Sequence, residues 1–383
     1  MAFRLSPKFK RNISRIIPFA VIWLVVSWVL LLAETVASNN QNLSPGEAVT
    51  LTLPVFTFAS IAIAVVGLMV GTLEMVVLEN AFSRYSLARK IAYKLCLYLL
   101  FLIVINFLTY PVAASLELGV SPFNVQVWEK FQRYLLSMTF VNTLVQLGFS
   151  VLLSLLYVAI SQNLGHQVLI NFFTGKYHQP LIENRIFMFL DMKSSTTIAE
   201  QLGHVQYFAL LKRYYATMSD PIINHFGEVY QYIGDEVVIT WKVTAGSNPS
   251  DSLCCFFSIQ EAMAAKRESF ERDFGVFPEF KAGLHVGEVT SGEIGALKKE
   301  IAYTGDVLNT AARIQGMCKR YGEDLIISQD LQKLISKNSP FTLEELGTIA
   351  LKGKVNDSQL FAVSKKMDEF TNQANQGSFH KNH

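Results

Sequence analysis

Cysteine is scarce in this sequence and charge is thin. Four cysteines occur in 383 residues, Cys96, Cys254, Cys255 and Cys318, without the paired spacing that ligates a metal. Neither a disulfide framework nor a thiolate metal centre is expected from them. Only 17% of the residues are charged, the formal net charge is +2, and no basic stripe is interleaved with aromatics. That pattern gives no support for a nucleic-acid partner. The Gly-rich run at 286–295, VGEVTSGEIG, lacks the Gly-Lys-Ser/Thr ending of a phosphate loop and reads as a hairpin.

What the chain has in quantity is apolar residues, 51% of the total, concentrated in the first 165 positions. Four long apolar stretches lie there, at about 17–37, 51–78, 91–116 and 135–162. Each exceeds the roughly 20 residues that cross a bilayer as a helix. The first is too long, and too closely followed by the others, to read as a removed signal peptide. Basic residues set the orientation. Arg4, Lys8, Lys10, Arg11 and Arg15 lie in the N-terminal arm, and Arg84, Arg89, Lys90 and Lys94 belong to the second connection. The first connection has none, and the third only Lys130 and Arg133. The positive-inside bias predicts a multi-pass protein of the inner (plasma) membrane, with both termini and the C-terminal half cytoplasmic. Glu34, near a span end, reads as interfacial; Glu74, in the last turns of the second span, reads as reaching headgroups or a partner helix.

Beyond residue 165 the sequence alternates strand and helix patterns. Two stretches, RIFMFLDMKSST at 185–196 and YQYIGDEVVITW at 230–241, read as strands with one acid at a turn or strand end, Asp191 and Asp235. Gly234 suits a tight hairpin turn that holds Asp235 at a sheet edge. Two such carboxylates favour Mg²⁺ or Mn²⁺ bound jointly with substrate phosphates. A third stretch, EIAYTGDVLNTAARIQ at 300–315, reads as strand, Gly-Asp turn and helix, with Asn309 and Arg313 on one helix face. A guanidinium there suits bidentate contact with phosphate oxygens.

In this order and at this spacing the three stretches resemble the class III nucleotidyl cyclases, over about residues 182–363. The wording, including NFFTGKYHQP at 171–180, is similar to a bacterial membrane-anchored adenylate cyclase subgroup. The resemblance implies an α+β catalytic domain with a ferredoxin-like sheet, converting ATP to 3′,5′-cyclic AMP and pyrophosphate. It implies two Mg²⁺ or Mn²⁺ ions per active site, on Asp191, Asp235 and the main-chain carbonyl of Met192. Arg313 is then the residue that stabilises charge on the α-phosphate, and Asn309 the one that orients the ribose. Lys193, Ser194, Ser195 and Thr196, entering a helix, offer N–H groups to phosphate, and Lys352 matches a lysine that approaches the terminal phosphates. Because one chain carries both halves of a site that the family builds across a dimer interface, a homodimer with two shared sites is expected.

Two positions depart from the family pattern. The base-contacting positions fall on Gln231 and Ala302, neither of them a usual adenine- or guanine-specifying residue. A Gln amide hydrogen-bonds either purine edge. A guanylate cyclase, and a non-catalytic membrane receptor whose cyclase-like domain only binds nucleotide, are therefore the alternatives. The expected organisation is a four-helix transmembrane domain at 1–165, a helical linker at 166–183, the catalytic domain at 184–364 and a disordered tail at 365–383. The substrate and the lipid bilayer are the expected partners, along with the second copy of the chain.

Overall fold

The computed structural model describes residues 6–38, 49, 52–78, 85–297, 299–336, 338–349 and 358–366. The chain divides into two compact units, one spanning Phe9–Thr174 and the other made of the chain from Gly175 onward together with the first eight residues.

Four helices in the first unit are long and apolar enough to cross a membrane. They are α1 (Pro7–Ser38), α2 (Leu53–Thr72) with a π-turn at Leu73–Val77, α3 (Leu87–Leu118) and, after a short amphipathic helix α4 (Val125–Leu135), α5 (Met138–Leu164). Their outward faces are apolar, while Phe19, Trp23, Val70, Tyr98, Leu102 and Val151 form a packed interior. Glycines let α2 approach α1. A Cβ on Gly67 would stand 3.1 Å from the Ala20 Cα, and one on Gly71 2.9 Å from the Phe19 ring. The indole of Trp23 donates to Ser154 Oγ on α5 at 3.0 Å. The sequence pattern places Lys94 in a connection, but the structure buries it in α3 beside Glu74, because their opposite charges neutralise one another there. A further helix, α6 (His166–Thr174), follows α5.

The second unit is a mixed sheet with helices on both faces. Its strands are β1 (Leu181–Met192), β2 (Glu228–Ile233), β3 (Glu236–Lys242), β4 (Phe280–Ile294), β5 (Glu300–Thr304), β6 (Leu325–Ser328), β7 (Phe341–Ile349) and β8 (Ser358–Lys365). They lie in the order β2-β3-β1-β4-β6-β8-β7, with β5 paired on β4. β1 is central and its side chains alternate. Ile186, Met188, Leu190 and Met192 join the core beneath α7 (Ser195–Asn224) and α8 (Ser250–Ala264). Phe187 and Phe189 face the other way, against Val307 and Ala311 of α10 (Asp306–Tyr321). Covered on both faces, the middle of β1 from Ile186 to Leu190 reads in sequence as an unbroken apolar run.

The Gly-rich segment is the distal half of β4 paired with β5, a hairpin as its composition suggests. The helical pattern of 250–274 is two helices, α8 and α9 (Arg267–Phe274). Lys266 leaves helical backbone (φ −110°, ψ 10°), which redirects the chain and buries Phe270. A buried charge network closes the start of β1. Arg185 Nε donates to Glu183 at 2.8 Å and its Nη1 to Glu228 at 3.1 Å, and Lys242 donates to the other Glu183 oxygen at 2.5 Å. Burial alone would push the Glu183 carboxyl upward, but the hydrogen bonds from Lys242 and Arg185 hold it down at about 2.

Candidate active site

Asp191 and Asp235 reach one spot from different parts of the chain. Asp191 is the penultimate residue of β1 and Asp235 sits in the turn between β2 and β3, where Gly234 adopts φ 63°. β3 pairs with β1 in antiparallel register, Leu190 opposite Val237, which brings the turn up to the end of β1. Burial raises the Asp191 carboxyl above its ordinary value, and the neighbouring Asp235 carboxylate raises it further. Glu236, half-buried, is pushed up to about 7 by burial and by Asp191 and Asp235. Crowded carboxylates of this kind create a site that a divalent cation would relieve.

Among the described residues, no group of three or more His, Cys, Asp and Glu side chains is arranged to hold a metal. Two carboxylates suit Mg²⁺ or Mn²⁺, which keep waters and take substrate phosphates as further ligands, and do not suit a structural zinc cage. Met192 buries its side chain in the core and so meets the site only through its main chain.

Several neighbours escaped the sequence reading. Gln315 Nε2, from α10, donates to Asp191 Oδ2 at 3.0 Å. Lys281 lies opposite Asp191 in the β1–β4 register, with its Nζ 3.8 Å from the same oxygen. Tyr215 of α7 donates its hydroxyl to the Gly234 carbonyl at 2.8 Å, which anchors the turn bearing Asp235. None is marked by a motif. The one signal available for Gln315 is its spacing, since it lies two residues beyond Arg313 on the helix that carries the family pattern.

The remaining expected residues are spread around this point. The Lys193 N–H is bonded to the Glu279 carbonyl at 2.8 Å, and its ammonium pairs with Asp324 at 2.6 Å and Glu279 at 3.6 Å. Lys193 is thus committed elsewhere. Ser194 takes left-handed backbone (φ 56°), while Ser195 and Thr196 open α7, where helix N–H groups lack intrahelical acceptors. Asn309 is exposed and Arg313 half-buried on α10, and neither side chain bonds to another described residue. The structure does not join this pair to Asp191 and Asp235 through any side-chain bond among the described residues. Gln231 is exposed on β2 and Ala302 half-buried on β5; their strands meet through the rings of Tyr230 and Tyr303, 4.9 Å apart. Lys352 and residues 367–383 lie outside the described residues.

Comparison with known proteins places the second unit in a family. The family model described as "Adenylate and Guanylate cyclase catalytic domain" matches residues 178–370, half of the chain. The chain is 33% identical over 195 residues to "Adenylate cyclase 2" of Rhizobium meliloti, covering 51% of this chain and 54% of that protein. It is 31% identical over 182 residues to "Adenylate cyclase 1" of the same organism, covering 46% of this chain and 27% of that protein. The chain thus spans about half or less of the curated relatives it matches. Among solved structures, the adenylyl cyclase CyaB from P. aeruginosa aligns at 21% identity over 50% of this chain and 98% of that one, with a TM-score of 0.44. On the family match, this chain belongs to the adenylate and guanylate cyclase catalytic-domain family, joined here to four apolar helices.

Proposed function

We propose that this protein is a membrane-anchored adenylate cyclase that converts ATP to 3′,5′-cyclic AMP and pyrophosphate. The observation that carries the reading is the convergence of Asp191 and Asp235 at one sheet end, where burial first and the neighbouring Asp235 second raise the Asp191 carboxyl. In the reaction the ribose 3′-oxygen forms a bond to the α-phosphorus and the bond from that phosphorus to the β-phosphate bridging oxygen breaks. The hydroxyl proton passes to solvent. Mg²⁺ or Mn²⁺, two per site, would lower the pKa of the 3′-hydroxyl and neutralise the triphosphate.

Asp191, Asp235 and the Met192 carbonyl would hold those ions, with Gln315 orienting the Asp191 carboxylate and Tyr215 anchoring the turn that carries Asp235. Arg313 stabilises charge on the α-phosphate and Asn309 orients the ribose; Ser194, Ser195 and Thr196 contribute N–H groups, and Lys352 meets the terminal phosphates. Gln231 and Ala302 form the base pocket. The preference for adenine rests on the two relatives named adenylate cyclases. The four apolar helices anchor the chain in the inner membrane, with both termini in the cytoplasm by the distribution of lysine and arginine.

The Asn309 and Arg313 side chains, which bond to no other described residue, support a site completed across a two-fold dimer, each copy supplying its Asn and Arg to the other's aspartates. Mixing Asp191→Ala and Arg313→Ala chains tests both activity and sharing. Each variant alone is inactive, and the mixture recovers cyclic AMP formation through one intact site per heterodimer. A mixture as inactive as its parts contradicts the shared site.

A further inference from the structure

The first unit contains an open-sided cavity of about 450 Å³. Three segments bound it, the π-turn that ends α2, the first turns of α3 and the last turns of α5. All three lie at the end from which the chain leaves this unit for the catalytic one. On the orientation proposed above, this is the cytoplasmic leaflet.

The walls of the cavity have two chemistries. Leu87, Ile91, Leu155 and Val158 give it an apolar side, and Lys90, Lys94 and Gln162 line it with polar groups. Behind them lies a buried ion pair. Lys94 donates to Glu74 and, at 2.9 Å, to the Leu78 carbonyl, while the Tyr98 hydroxyl donates to the other Glu74 oxygen at 2.9 Å. Glu74 and Lys94 are each 1% exposed. The π-turn places Glu74 here, its extra residue closed by the Leu78 N–H to the Leu73 carbonyl at 2.9 Å. Insertions of this kind recur at functional sites.

Charge decides the ligand class. Glu74 and Lys94 cancel, which leaves Lys90, one turn before Lys94 on the same face of α3 and half-buried. Among the described residues its ammonium has no ion-pair partner. A zwitterionic headgroup would bring a cation for which the described lining residues offer no free carboxylate, since Glu74 is taken by Lys94 and Tyr98. A soluble phosphate would leave the apolar wall uncovered. We propose that this cavity binds an anionic phospholipid, its phosphodiester at Lys90 and Gln162 and its acyl chain along Leu87, Ile91, Leu155 and Val158.

The test uses the full-length protein in nanodiscs containing phosphatidylglycerol and phosphatidylcholine, with bound lipid counted by native mass spectrometry. No nucleotide is turned over, so failure here is distinct from failure of the cyclase assignment. Phosphatidylglycerol is expected to be retained preferentially. Lys90→Gln should weaken that retention by about fivefold, the effect of one cation near a headgroup. Arg89→Gln, an exposed neighbour that does not line the cavity, should leave retention unchanged. Equal retention of the two lipids overturns the proposal. So does an unaffected Lys90→Gln, or an Arg89→Gln loss as large as that of Lys90→Gln. Displacement of the lipid by millimolar glycerol 3-phosphate would instead assign the site to a soluble phosphate.

Discussion

Gly283 controls how closely α10, with Asn309, Arg313 and Gln315, packs on the strand beside Asp191. A Cβ at this position would stand 2.1 Å from the Gln315 nitrogen, 2.6 Å from its Cα and 2.7 Å from the Ile314 carbonyl carbon. These are backbone atoms, so no side-chain rotation relieves the clash. To reach the 3.4 Å at which ordinary contact begins, α10 must retreat by about 1.3 Å. Overpacking of this kind costs about 1–3 kcal/mol, and a displacement of about 1 Å in a catalytic group costs about 100-fold in rate. Gly283→Ala is therefore expected to lower cyclic nucleotide formation about 100-fold while the protein still folds, melting a few degrees lower. Gly316→Ala on the same helix, where a Cβ meets nothing within 4 Å, is the control and should stabilise by about 1 kcal/mol. Wild-type turnover in Gly283→Ala would refute the argument that the approach of α10 sets the geometry of the site.

Glu183→Gln should destabilise the protein by about 3 kcal/mol, because it removes one partner of the buried Arg185 charge; a thermal melt reads the loss. Since the folded Glu183 carboxyl lies at about 2, below its ordinary 4.5, its contribution is present above pH 4.5 and disappears as the pH falls toward 2. Wild-type melting temperature should thus fall more steeply than that of the variant across that window, and parallel curves would contradict the network. Gln315→Leu takes away the hydrogen bond that orients Asp191 and should weaken Mn²⁺ binding, followed by electron paramagnetic resonance, about 10- to 100-fold. Unchanged Mn²⁺ affinity would remove Gln315 from the site.

Much of this architecture is legible in sequence where the signal is local. The four apolar runs give the membrane-type helices because length and composition alone define them. The Gly234–Asp235 turn announces itself as a hairpin through its glycine. Register is not local. Nothing in the sequence pairs Asp191 with Lys281, ninety positions away, because that pairing is set by the whole β1–β4 ladder. Lys94 misleads for a related reason. Its charge marks it as a connection residue, and only the approach of Glu74 from another helix makes its burial tolerable. Gln315 lacks a motif of its own, and its role depends on Gly283 letting α10 lie flush on β4. The charge network around Arg185 is hidden in the same way, assembled from β1, β2 and β3.

The central claim is tested most directly by offering ATP and GTP separately to the purified full-length protein with Mg²⁺ or Mn²⁺, and identifying the product, with Asp235→Ala as control. The account predicts cyclic AMP from ATP, with turnover lost in Asp235→Ala. Cyclic GMP as the main product would contradict the adenine assignment of the pocket at Gln231 and Ala302. No cyclic nucleotide with either metal would contradict the enzyme itself and leave the domain a nucleotide-binding receptor.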